Sequence, residues 1–73
     1  MQSDQITSLA KFTCQPFRQE VELQQVVHAA GYTSLRLRIR EGKRFTVFDI
    51  DAPTAAHWGR LMMEWARSQG ETK

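Results

Sequence analysis

The stretch Ser34-Leu-Arg-Leu-Arg-Ile-Arg40 constrains this chain more than any other. Apolar and charged residues alternate strictly along it. A helix would scatter that pattern around its circumference. A strand sorts it, with Leu35, Leu37 and Ile39 on one face and Arg36, Arg38 and Arg40 on the other. A strand with one dry and one wet face belongs in an antiparallel sheet covered on one side only.

Its neighbours are read from the same rule. Arg40-Glu41-Gly42 reads as a three-residue hairpin loop with Gly42 in the left-handed position, and Lys43 to Ile50 as the returning strand. With Ile39 opposite Lys43, Phe45 and Val47 join Leu35 and Leu37, while Phe48 and Ile50 turn to the arginine side. Upstream, Glu20 to Val27 alternates again: Val21, Leu23 and Val27 face the core, Glu20, Glu22 and Gln24 face out, and Gln25 is an exception. His28 to Ser34, with Gly31, supplies the turn. Pairing these two strands sets Glu20 and Glu22 beside Arg38 and Arg40. Leu9 to Cys14 is a weaker first strand, turned by Pro16 and Phe17, with a helical turn after Asp4 as the alternative for its first half.

After Ile50 the period changes. Trp58, Leu61, Met62 and Trp65 recur at i, i+3, i+4 and i+7, with Ala55 a turn earlier, which predicts an amphipathic helix. Asp51 is its N-cap, Pro53 sits in the first turn where its missing N–H costs nothing, and Gly70 is the stop. Gly59 inside the helix is expected to let the backbone approach the sheet. The fold class is therefore α+β: an antiparallel four-stranded β-meander with one C-terminal α-helix packed on one face. Both tryptophans with Leu35, Leu37, Ile39, Phe45 and Val47 form the expected core. The 73 residues make one domain, ordered from about 8 to 69, with flexible ends.

The string IREGKRFTVFDID, followed by APTAAHWGRLMMEWA, resembles a family of small uncharacterised bacterial proteins. In them a basic hairpin ending in an acidic pair leads into a helix carrying "TA", "WG" and "WA". The resemblance spans roughly residues 18–66. It implies a shared small α+β fold and carries no chemistry.

Composition narrows the function. A hydrophobic fraction of 41% and a charged fraction of 25% belong to an ordinary globular domain. No apolar run approaches the roughly 20 residues needed to span a bilayer. The polar start, Met1 to Asp4, lacks the basic and apolar regions of a signal peptide, so the expected location is cytoplasmic. Cys14, the single cysteine, can neither staple the domain nor build a zinc site of its own. The net charge is only +2, yet Arg36, Arg38, Arg40, Lys43 and Arg44 crowd into nine positions. The excess is a local patch.

That patch, with Phe48 as a stacking ring, is the candidate binding face: Arg36, Arg38, Arg40, Lys43, Arg44 and Phe48. Basic residues beside an aromatic on a sheet can hold single-stranded nucleic acid. The competing reading is a solvated strand face paired with Glu20 and Glu22. Asp49 and Asp51 stand two apart at a strand end, a position open to metal or catalytic carboxylates. Capping by Asp51 and pairing of Asp49 with an arginine account for them more simply. His28 and His57 lie in different elements, and neither forms a ligand set or a nucleophile pair with Cys14. No catalytic residue, metal or cofactor is therefore expected. Met63, Phe17, Tyr32 and Phe48 are left over as apolar surface. The expectation is a non-catalytic module that binds a protein partner or a second copy of itself, with single-stranded nucleic acid as the alternative.

Overall fold

A computed structural model describes residues 3–70. The expectation of flexible ends concerns in part residues 1–2 and 71–73, which lie outside the described residues. Four strands, β1 (Gln5–Thr13), β2 (Glu20–Val27), β3 (Thr33–Glu41) and β4 (Arg44–Ile50), precede one helix, α1 (Ala52–Ser68). The strands lie in chain order in a single open sheet, and every neighbouring pair is antiparallel. The first strand is longer than its sequence signal: it begins at Gln5, and no helical turn follows Asp4. A bulge between Ser8 and Ala10 accommodates Leu9 as an extra residue.

The β2–β3 register brings Glu20 opposite Arg40, Glu22 opposite Arg38 and Leu23 opposite Leu37, as the alternation requires. The β3–β4 register differs from the expected one. Glu41 faces Arg44, so the loop is the two-residue Gly42-Lys43. Gly42 alone of the pair has positive φ, 60°, the signature of a type II′ turn with glycine in the first central position. The different loop shifts β4 by three residues, from Lys43 to Thr46 opposite Ile39, and an odd shift exchanges its faces. Phe48 lands opposite Leu37 and Ile50 opposite Leu35, on the apolar face, while Phe45 faces Arg40 and Val47 faces Arg38. Phe45 and Val47 therefore leave the expected core, and Phe48 and Ile50 replace them.

The helix begins as its caps dictate. Asp51 accepts a hydrogen bond from the Thr54 N–H at 2.9 Å, and Pro53 occupies the first turn. The Thr54 side chain first, and its backbone N–H after it, hold the Asp51 carboxyl below its ordinary range. The Gly70 N–H reaches back to the Arg67 carbonyl with φ at 75°, closing the C-terminal end. α1 stands over the β3–β4 side of the sheet, where the Trp58 ring meets Phe48 edge-on at 5.9 Å. Nothing lies within 4 Å of a Cβ built at Gly59, so this glycine does not mediate a close approach to the sheet.

The core within the chain is very small. Val26 and Leu37 are its buried hydrophobic residues. Val26, fully enclosed, lies on the arginine face, in line with Ile6 and Ser34 across the ladder. No helix residue is buried, and exposure climbs along the apolar stripe from Trp58 at 38% through Leu61 at 48% and Met62 at 64% to Trp65 at 68%. The helix thus draws away from the sheet towards its C-terminus.

Candidate functional site

The arginine face is built by register. Arg36, Arg38 and Arg40 project from alternate positions of β3, and the strands on either side supply a carboxylate to each. Arg36 donates to Asp49 through Nε at 2.7 Å and Nη2 at 3.1 Å, the bidentate geometry that suits a guanidinium. Arg38 meets Glu22 and Arg40 meets Glu20, each at 3.2 Å. The Arg36 guanidinium, with the Ser34 hydroxyl behind it, holds the Asp49 carboxyl below its ordinary range, and the same bond raises Arg36. Glu22 is lowered chiefly by the Ser8 hydroxyl, then by Gln24, Lys11 and Arg38. Arg38 also lies over the Phe45 ring, 5.5 Å from its centre.

Three of the six expected binding residues, Arg36, Arg38 and Arg40, share this face. Lys43 sits in the hairpin loop at its tip. Arg44 and Phe48 belong to the opposite face, because β4 is shifted by three residues, an odd number, from the expected register. The aromatic on the arginine face is Phe45. The signal that identifies it is Glu41-Gly42-Lys43-Arg44, a glycine at the first position of a two-residue loop.

At the far end of the same face a second network ties four elements together. His28 Nδ1 lies 3.4 Å from Asp4, its Nε2 lies 2.8 Å from the Ser34 hydroxyl, and its ring stacks on Tyr32 at 4.1 Å. Ser34 donates to Asp49 at 2.9 Å. Asp, His and Ser in a line have the outline of a hydrolytic triad, but the Ser34 hydroxyl is shared with Asp49, and the direction of its bond to His28 is set by the imidazole tautomer. The network joins the start of β1, the β2–β3 turn, β3 and β4. His57 is exposed on α1, and Cys14 is a half-buried free thiol whose backbone closes the β1–β2 loop. Among the described residues, no three His, Cys, Asp or Glu side chains converge as a metal-ligand set.

The other face is apolar and open. Leu9 and Phe12 of β1 are about half exposed, at 54% and 49%. Between Leu9, Leu35 and the start of α1 at Ala52 and Ala55 runs a shallow groove of about 330 Å³, with Gln25 in its floor. The fold and this face define a class: a small α+β domain whose open meander carries a helix over only part of one side. The chain belongs to the family of unknown function DUF6967, whose model matches residues 3–68. This match takes in β1, which the resemblance seen in the sequence did not reach. No curated protein and no solved structure matches the chain. No helix among the described residues is long and apolar enough to cross a membrane.

Proposed function

We propose that the chain is a non-catalytic protein-interaction module, and that it binds through the apolar side formed by α1 and the exposed half of the sheet. One observation carries this reading: a 17-residue amphipathic helix with no buried residue. Its stripe from Trp58 to Trp65 is built like a core and left uncovered. Apolar surface of this extent on a small domain marks an interaction site. The arginine face supports the nucleic-acid alternative less. Each of its three arginines already has a carboxylate, so a phosphate would compete with an ion pair at every position.

The test is an amide NMR titration of labelled protein with mixed-sequence single-stranded RNA at low salt. The reading expects no shifts at Arg36, Arg38 and Arg40. Saturable shifts there, reversed by added salt, overturn it in favour of a nucleic-acid binder, because phosphate contacts release counterions.

A further inference from the structure

We propose that the partner on the apolar side is a second copy of this chain, and that α1 of each copy covers the β1–β2 half of the other's sheet in a two-fold symmetric dimer. The proposal rests on the interaction reading above and names its occupant.

The chain exposes 6139 Å². A compact monomer of its mass exposes about 4,650 Å², so the excess is about 1,500 Å². Half of that excess already matches the roughly 800 Å² that each partner buries in a standard interface, and the whole of it falls in the range of obligate homodimers. Compactness agrees. The radius of gyration is 14.6 Å, against about 11 Å expected for a compact chain of this length. The chain has its local elements formed and apolar surface to spare, which is the condition of a folded protomer that buries further surface against its copy.

Four strands about 4.8 Å apart place the outer two about 15 Å from each other, and a helix is only about 10 Å wide. One helix cannot roof this sheet, and α1 stands over β3 and β4. Over β1 and β2 the sheet presents Leu9 and Phe12 to the open side. Two helices at the usual 8–10 Å spacing cover the whole face.

The helix carries more apolar surface than one sheet needs. At about 100° per residue, the apolar and small positions run from Leu61 through Trp65, Trp58, Met62 and Ala66 to Met63, an arc of roughly 200°. A helix lying on one sheet uses an arc of about 100°. The surplus arc has the width a second surface requires. A self-complementary arrangement satisfies both needs with one set of residues: surplus helix covers surplus sheet, twice, about one two-fold axis.

The experiment is sedimentation equilibrium of the full chain from about 1 to 200 µM, for the wild type, Trp65→Glu and Arg38→Glu, with 1-anilinonaphthalene-8-sulfonate fluorescence as a probe of open apolar surface. The expected result is a wild-type dimer, loosened by Trp65→Glu about 30-fold or more as for a central aromatic anchor, and little changed by Arg38→Glu. Trp65 is largely exposed within its own chain, so circular dichroism should report the same secondary structure in the variant. Isotope-mixed NMR of the wild type supplies an independent reading, with intermolecular NOEs expected between α1 and Leu9 or Phe12. A wild-type chain that stays monomeric and binds the dye overturns the dimer and leaves the interaction reading standing. A monomer that binds no dye overturns both. A dimer lost on Arg38→Glu, or one whose intermolecular NOEs avoid β1, overturns the proposed arrangement.

Discussion

The two faces of the sheet invert what their compositions advertise. The face bearing three arginines looks like a surface waiting for an anion, and it is internally paired from end to end. The opposite face looks like the inside of a small protein, and its β1 margin and the helix stripe over it are open. A polar residue on a strand has neighbours at fixed distances to either side, so register alone can satisfy it. An apolar residue needs a second layer, and this chain provides only part of one. Charge is therefore a poor guide to which side of this molecule is left unsatisfied, and an incomplete layer is a better one.

Three substitutions probe that contrast, in decreasing order of effect. Leu37→Ala removes the buried side chain at the centre of the apolar face. It should cost about 2–5 kcal/mol, the range for large-to-small changes in a core, read by urea denaturation at fixed protein concentration. A loss under about 1 kcal/mol would mean that this face is not where the fold is held together.

Asp49→Asn tests the best-connected position on the charged face. It removes the charge from an acceptor of two Arg36 bonds and one from Ser34 and should cost about 1–2 kcal/mol. Its pH dependence has a definite sign. The folded state favours the ionised Asp49, first through the Arg36 bond, and favours ionised Glu22 as well. The unfolded chain consequently binds more protons as pH falls through the carboxylate range. This stabilisation is complete above about pH 5 and drains away as pH drops below about 4 towards the folded-state values. Thermal melts between pH 6 and 2.5 should show that decline in the wild type and a shallower one in Asp49→Asn. Parallel curves would show that the Asp49 contacts do not favour its charged form.

The smallest effect belongs to Arg40→Ala, at most about 0.5 kcal/mol. Its pair with Glu20 lies in solvent, with about half of each side chain exposed. Equal losses from Arg40→Ala and Asp49→Asn would erase the distinction between the wet and the sheltered ends of the ladder.

Much of the fold was legible because its signals were local or periodic. Alternation in Leu35 to Arg40 placed β3, the i, i+3, i+4, i+7 stripe placed α1, and Asp51 and Gly70 marked its ends. The pairing of Glu20 and Glu22 with Arg40 and Arg38 followed from register. Alternation could not phase β4, since Arg44-Phe-Thr-Val-Phe-Asp-Ile50 carries apolar residues on both faces. The decisive feature was the turn: taking Gly42-Lys43 as the whole loop moves Phe48 beneath Trp58 and brings Asp49 to Arg36. Val26 was hidden for a similar reason, as a valine in the phase of the charged face. The openness of the helix stripe had no sequence signal at all. Trp58 and Trp65 read as core whether the surface that covers them belongs to the same chain or to another.

The extra residue at Leu9 divides the sheet's first edge in two. β1 is an outer strand, and it meets β2 in two runs, Gln5 to Ser8 and Ala10 to Thr13, out of phase with each other. A foreign strand laid along its free edge can match the hydrogen-bonding rhythm of one run and must miss that of the other. Growth of sheets into a ribbon needs both outer strands, and at β1 it is interrupted. A molecule that must leave so much greasy surface available has, at its most vulnerable border, a built-in stop against endless stacking.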